Sequence, residues 1–210
     1  MKIKYPRTHH LPWSLGATDD DKTLSSTDHF TGREVVVTEK MDGENTTIYA
    51  GGACHARSLD SKAHPARTWV RALAATVGRE IPAGWRVCGE NLYARHSIGY
   101  DGLPTYFMVF GIYDGDNRCL SWDETLEWCS LLGLTPVPVR YRGVWDEKAI
   151  KACHTGTSAC GGIQEGYVVR VADAFGYDDF NTSVAKFVRK NHVTTDTHWM
   201  HAAVVPNKVA

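Results

Sequence analysis

Val35-Val36-Val37-Thr38-Glu39-Lys40-Met41-Asp42-Gly43 is a β-branched run that ends on a lysine and breaks at a glycine. Consecutive valines read as a strand. A lysine at a strand end can point into a cleft rather than into bulk water. Gly43 allows close approach of the backbone to a ligand, or a positive φ. An amine attacks only when unprotonated, and a free lysine has a pKa of about 10.4. Neighbouring cations, a metal ion or partial burial must lower that value for Lys40 to act as a nucleophile. Alone, Lys-x-Asp-Gly arises by chance in roughly one chain of this length in twenty. A β-turn with an exposed lysine would look the same.

The pattern continues on both sides of that turn. Thr46 to Tyr49 reads as a second strand, Gly51-Gly52 turns the chain, and Cys54 to Ser58 returns. Pro65 suits the first turn of a helix, followed by Trp69, Val70, Leu73, Ala74 and Val77 at helical spacing. Arg86 to Glu90 and Tyr106 to Tyr113 read as strands. Ser121 with Glu124 is a capping-box pair, opening a helix through Leu126, Leu131 and Leu132 that Gly133 can end. Asp146 to His154 reads as a shorter helix, and Tyr167 to Val171 and Val184 to Val188 as strands. Strands with segregated helices predict an α+β domain.

Five elements behind Lys40 carry chemistry. Arg57 ends the hairpin strand and can fork onto phosphate oxygens. Glu90, in Cys88-Gly89-Glu90-Asn91, sits at a strand end and can accept from a ribose hydroxyl. Tyr106 to Tyr113 is an aromatic strand in which residues 108, 110 and 112 are expected to share one face, so that Phe110 can lie against a purine. Glu165 enters the strand Gly166-Tyr167-Val168-Val169 and suits a hard divalent ion that bridges phosphates. Val184-Ala185-Lys186-Phe187-Val188-Arg189-Lys190 is a basic strand. Singly, each has a plainer reading: Arg57 in a surface ion pair, Glu90 and Glu165 capping turns, Phe110 in the core, Lys186, Arg189 and Lys190 on a solvated edge.

As an ordered set behind Lys40-Met41-Asp42-Gly43, these residues resemble the covalent nucleotidyltransferases, the ATP-dependent ligases and messenger-RNA capping enzymes. Within them the chain is most similar to the RNA ligase family, which includes the bacteriophage RNA ligase 2 type. The resembling stretch runs from about Lys40 to Lys190, and Pro6 to Ser14 looks like the lead-in of some members. The resemblance implies an adenylyltransferase fold of antiparallel sheets with flanking helices, ATP and Mg²⁺ or Mn²⁺ as cofactors, and strand joining through an adenylylated 5′-phosphate end. By position, Lys40 matches the adenylylated lysine, Glu39 a residue beside the adenine, and Arg57 a phosphate contact. Glu90 matches the acid near the ribose, and Phe110 the aromatic on the base. Glu165 matches the fourth-motif glutamate linked to metal and catalysis, and Lys186 a fifth-motif lysine on the α-phosphate. Two positions depart from the pattern. Gly111 stands where many relatives have Asp. The fifth motif often has two lysines two apart, whereas residues 184 and 188 are valines and Arg189 or Lys190 is the substitute.

The chain of 210 residues has 43% hydrophobic and 22% charged residues, ordinary for a soluble globular protein. It is read as one adenylyltransferase domain, with residues 1–32 as lead-in and loop and 191–210 as a short extension. About twenty residues follow Lys190, too few for the OB-fold that DNA ligases and GTP-using capping enzymes normally append. A catalytically silent nucleotide- or RNA-binding module is the other rival. The expected partner is RNA, with a nicked duplex or RNA–DNA hybrid as candidate substrates and an accessory protein or domain as a possible helper. No apolar run is long enough to span a bilayer and no signal peptide is evident, so a cytoplasmic location is expected. The net charge of −1 leaves nucleic-acid binding to a local basic face. The six cysteines form no CxxC pair and read as buried thiols. Gly16 to Asp28, with Asp19-Asp20-Asp21, reads as a solvated loop. His192, His198, Trp199 and His201 weigh between a metal site, base stacking and simple docking of Trp199 on the core, the last preferred. His9, His10 and Trp13 take the same reading.

Overall fold

The valine run of residues 35–37 lies inside a sheet and is buried on both faces, as an unbroken apolar strand should be. The computed structural model describes residues 2–190 and 203–210. His192, His198, Trp199 and His201 lie outside the described residues.

The strands, in chain order, begin with β1 (His9–His10), β2 (Glu34–Lys40), β3 (Glu44–Tyr49) and β4 (Cys54–Ala56). They continue with β5 (Arg86–Asn91), β6 (Phe107–Tyr113), β7 (Arg118–Cys119) and β8 (Thr135–Pro136). β9 (Val139–Val144), β10 (Gly166–Val171), β11 (Phe175–Gly176) and β12 (Val184–Val188) complete the set. The helices are α1 (Thr68–Val77), α2 (Trp122–Leu132) and α3 (Glu147–Ala152). One sheet has the order β1-β12-β10-β2-β9 and the other β11-β7-β6-β5-β3-β4, with β8 beside β6. The longer strand pairs are all antiparallel, and β1–β12 and β6–β8 are parallel. The architecture is therefore the expected α+β arrangement of antiparallel sheets with few helices.

Three apolar clusters hold it together. Val35, Val37, Tyr167, Val169 and Phe187 pack with Ile150 of α3 on the outer side of the first sheet. Ile48, Val87, Phe107 and Val109 pack with Val70, Ala74 and Val77 of α1. Val36, Met41 and Met108 pack with Trp122, which opens α2, between the sheets. All six cysteines are free thiols, five of them buried. Among the described residues, no helix is long and apolar enough to cross a membrane.

Two sequence expectations shift in detail. Pro65 begins a 3-10 turn, Pro65–Arg67, and α1 proper starts at Thr68. In β6, Phe110 shares a face with Met108 as expected, but Ile112 does not. Cys88 pairs Gly111 and Gly89 pairs Val109, so Phe110 is the extra residue of a β-bulge. A bulge adds one residue, bends the strand and re-aims a side chain. Ile112 then falls back beside Val109 in the α1 cluster while Phe110 turns towards the cleft.

The capping box is present: Glu124 N–H donates to Ser121 Oγ at 3.2 Å and Ser121 N–H to Glu124 Oε2 at 2.9 Å. Gly133 closes α2 at φ 64°. Ser121→Ala is expected to cost about 1 kcal/mol. The matching fall in thermal midpoint is about 2–4 °C, read by calorimetry, with no change at the cleft.

Candidate active site

β2 and β10 run antiparallel with Lys40 opposite Gly166, which places Glu165 beside the end of β2. Lys40 Nζ donates to Glu165 Oε2 at 2.7 Å. The Glu165 side chain is 5% exposed and that of Lys40 25%, so the pair is held in a cleft with one open side. Gly166 permits the approach of β12, because a Cβ there would lie 2.0 Å from the Phe187 carbonyl oxygen. β12 in turn sets Lys186 opposite Val168, and Val168 lies opposite Thr38. Thr38, Lys40, Val168 and Lys186 thus form one face of the first sheet.

That face is one wall of a cleft of about 270 Å³. The other sheet lines it with Asn45, Glu90 and Phe110, and Arg57 reaches it from the end of the hairpin. Lys40, Glu39, Arg57, Glu90, Phe110 and Lys186 therefore meet at one cavity, although they come from five separate strands or strand ends. Glu165 meets them through Lys40. Arg189 is not part of the cleft lining; its amide donates to the Glu165 carbonyl at 3.0 Å.

Glu39 is buried, and one oxygen of its carboxylate is fully committed. Oε2 accepts from Arg140 and from the Ala159 amide at 2.9 Å. Oε1 is buried and has no hydrogen-bond partner among the described residues. An orphan buried acceptor is costly unless a ligand satisfies it. Arg140 also arrives through a bulge: Val37 pairs Tyr141 and Thr38 pairs Val139, leaving Arg140 as the extra residue of β9.

The electrostatics differ from the expectation for a lone nucleophile. Burial works against the Lys40 charge, but Glu165, Glu90 and Asp42 outweigh it and hold the amine above the ordinary lysine range. Burial pushes Glu165 up, against the pull of Lys40. Burial, with Glu165 and Asp42 adding to it, pushes Glu90 up to about 8. Burial and the Lys40 charge lower Lys186. Lys40 thus keeps its proton more firmly beside these carboxyl groups, and only added positive charge near them would loosen it. Among the described residues no group of three or more His, Cys, Asp or Glu is placed to hold a metal by itself. The donors fit the habit of Mg²⁺, which takes one or two carboxylates together with substrate phosphates.

Several site residues lay outside the sequence expectation. Arg140 belongs to β9, a strand whose Val-Arg-Tyr-Arg alternation was a usable signal. Tyr5 packs edge-on against Phe110 with ring centroids 5.0 Å apart. Asp21 leaves the solvated loop and meets Lys186 at 3.6 Å and His10 at 3.4 Å. Burial works against its charge, but Thr18 hydrogen bonds and Lys186 bring its pKa down to about 2. Asp19 and Asp20 are exposed, as expected for the loop. His10 is buried on β1, and Trp13 Nε1 donates to Tyr167 Oη at 2.9 Å, so the docked reading of this segment is correct.

The sequence pattern of the RNA ligase family matches residues 33–188. No curated protein sequence matches the chain. Among solved structures, a Naegleria gruberi RNA ligase variant with ATP and Mn superposes with a TM-score of 0.53 at 18% identity, over 90% of this chain and 63% of that one. The same organism's RNA ligase with PPi gives a TM-score of 0.55 at 16% identity, over 90% and 61%. An archaeal ATP-dependent RNA ligase gives 0.56 at 19% identity, over 89% and 48%. At such identities the likeness shows the fold. The chain spans about three fifths of the Naegleria proteins and about half of the archaeal one.

Two outcomes follow from these charges. Glu90 gains affinity for a proton on folding, so the folded state holds more protons than the unfolded one between the ordinary carboxylate pKa and about 8. Stability then falls as pH rises across that window. Thermal melts from pH 5 to 9 should show that fall, and Glu90→Gln should flatten it and melt above the parent at pH 8 and higher. Asp21→Asn frees Lys186 from a partly exposed ion pair worth about 0–1 kcal/mol. It should tighten binding of inorganic pyrophosphate to the cleft about two- to fivefold by calorimetry, and unchanged or weaker binding would show that Asp21 does not compete for Lys186.

Proposed function

We propose, on the premise that this chain belongs to the RNA ligase family, that it is an ATP-dependent RNA ligase working through a lysine–AMP intermediate. The observation that supports this best is the Lys40–Glu165 pair at 2.7 Å, set against a cleft lined by the other motif residues.

In this reading Phe110 stacks on the adenine. Glu39 Oε1, held by Arg140 and the Ala159 amide, accepts from the exocyclic amine. A guanine would turn a carbonyl towards that oxygen, so the site favours ATP over GTP and argues against a capping enzyme. Glu90 accepts from a ribose hydroxyl, and Arg57 and Lys186 hold phosphate oxygens. Glu165 is the carboxylate that would hold a divalent ion. When bound, that ion would supply positive charge beside Glu165, and such charge favours the neutral form of a nearby amine.

Lys40 Nζ then attacks the α-phosphorus of ATP. A P–N bond forms, the bond to the β-phosphate oxygen breaks, and pyrophosphate leaves while the amine loses its proton. A 5′-phosphate oxygen displaces Lys40 and takes the AMP, giving an A(5′)pp(5′)N end. A 3′-hydroxyl attacks the 5′ phosphorus and AMP leaves. Positioning and charge stabilisation suffice for such transfers. The ends joined are RNA, in a nicked duplex or an RNA–DNA hybrid, in the cytoplasm. The solved relatives are longer than this chain, which leaves room for an accessory protein or domain to extend the nucleic-acid surface.

The test is incubation with α-labelled ATP and Mg²⁺ or Mn²⁺. The protein should take up an acid-labile label that excess unlabelled ATP abolishes and GTP does not. Lys40→Ala should take up none. A parent that stays unlabelled would sink the reading, as would a labelled Lys40→Ala. ATP binding with no adduct under any metal would instead favour the silent binding module.

A further inference from the structure

β5 ends at Asn91 and β6 begins at Phe107. The connection between them, residues 92–106, forms no named strand or helix of its own. A loop of that length needs outside support to hold one shape. Residues 203–210 return to it and supply that support. Ala94 bridges Pro206 and Leu103 bridges Val209. Arg95 N–H donates to Val205 O at 2.8 Å, and Lys208 N–H to Tyr100 O at 3.0 Å.

Asn207 sits at the centre of this seam and is only 4% exposed. Its Oδ1 accepts from the Tyr100 amide at 2.9 Å. Its Nδ2 donates to the Leu92 carbonyl at 2.8 Å. Its own amide donates to Tyr93 O at 3.0 Å, and its carbonyl accepts from Tyr106 Oη at 3.1 Å. Both ends of the side chain and both main-chain groups are therefore satisfied, each on a different part of the 92–106 connection.

The same connection holds the turn after Lys40. The Asp42 amide donates to Tyr100 Oη at 2.8 Å. The Ile98 amide donates to Asp42 Oδ2 at 2.7 Å. Tyr100 is thus gripped at its amide by Asn207 and grips Asp42 with its hydroxyl. On the other flank Gly43 N–H donates to Glu90 Oε1 at 3.2 Å, and a Cβ on Gly43 would lie 2.5 Å from the Asn91 carbonyl.

We infer that Asn207 is a positioning residue for lysine adenylylation. It acts through Tyr100 to fix Asp42, and with it the turn that carries Lys40. The inference deepens the ligase reading and rests on it. Residues 203–210 lie outside the 33–188 family match, whereas the connection they brace lies inside it. Glu90 touches the turn through Gly43, but Glu39, Arg57, Glu90, Phe110 and Lys186 make no hydrogen bond to Asn207 or Tyr100, so the seam reaches the nucleotide side of the cleft only through that turn.

The test compares the parent with Asn207→Leu, Tyr100→Phe and the double variant. Single-turnover formation of protein–AMP is followed against ATP concentration. Tyr100→Phe removes only the hydroxyl and leaves every Asn207 bond in place, so it reports even if Asn207→Leu fails to fold. Each single variant should slow the step at saturating ATP by about tenfold or more, the scale of a small misplacement of a reacting group. Half-saturating ATP should stay within about twofold. The double variant should be no slower than the slower single one, since both act on one path. An unchanged rate in Tyr100→Phe would overturn the inference, as would a change confined to half-saturation, or losses that multiply in the double variant. Hydrogen exchange of residues 41–43 needs no catalysis. It should speed up in the folded variants, and unaltered protection there also overturns the inference. An unlabelled parent would instead count against the ligase reading alone.

Discussion

The cleft depends on the antiparallel pairing of β2 with β10. That pairing sets Lys40 across from Gly166 and so brings Glu165 to 2.7 Å from the lysine nitrogen. Alternation along a strand has period two, so a slip of one residue would turn Lys40 out of the cleft. The register is held by Val35, Val37, Val169 and Val171, which must all stay in one cluster. Gly166 then lets β12 pack close enough to set Lys186 beside Val168. Three adjacent strands thus deliver both lysines and the glutamate with no loop between them to absorb error.

What those strands deliver is an unbalanced site. Lys40 faces three carboxyl groups, Glu165, Glu90 and Asp42, with Lys186 and Arg57 in the same cleft. Burying charge in this way seldom stabilises a fold, because desolvation offsets the Coulomb gain. The raised pKa values of Glu90 and Glu165 express that cost. Glu39 adds a second unmet demand, a buried oxygen without a donor. Both are relieved by a ligand with an amine at one place and positive charge at another. Metal-bound ATP, the proposed ligand, has both, so the two unmet demands are consistent with one molecule.

Much of this was legible in the sequence, and the parts that were not share a cause. Lys40, Glu90, Glu165 and Lys186 stand at strand ends or on regular strands, where alternation fixes direction. Phe110 was placed in the right cavity for an incomplete reason. Its strand does not keep strict alternation: Met108 and Phe110 share a face, but the bulge opposite Cys88 and Gly89 turns Ile112 to the other side. Arg140 depends on the same device in β9 and was not foreseen. A bulge inserts a residue without a residue type of its own, so a periodic reading passes over it. Asp21 was hidden differently: an acidic triplet in a polar stretch reads as solvated, and only the parallel docking of β1 on β12 carries its last member to Lys186. Asn207 escaped because its partners lie more than a hundred residues away in sequence.

Two of these unforeseen contacts sit on segments outside the matched 33–188 stretch, and their strengths differ in a way that suits their places. Asp21 holds Lys186 at 3.6 Å in a half-open pair. Such pairs are worth about 0–1 kcal/mol, little enough for a phosphate to displace. Asn207 is buried, and its side chain meets two main-chain groups of the 92–106 connection. Leaving a buried polar group unmet costs about 1–3 kcal/mol, so this seam resists opening at ordinary temperature. In the proposed reaction a site that forms and breaks a bond to one lysine must hold that lysine still. It would also exchange ATP, pyrophosphate and a polynucleotide end at Arg57 and Lys186. The stiff contact leads to the lysine turn and the labile one to Lys186, which is the division that covalent transfer requires.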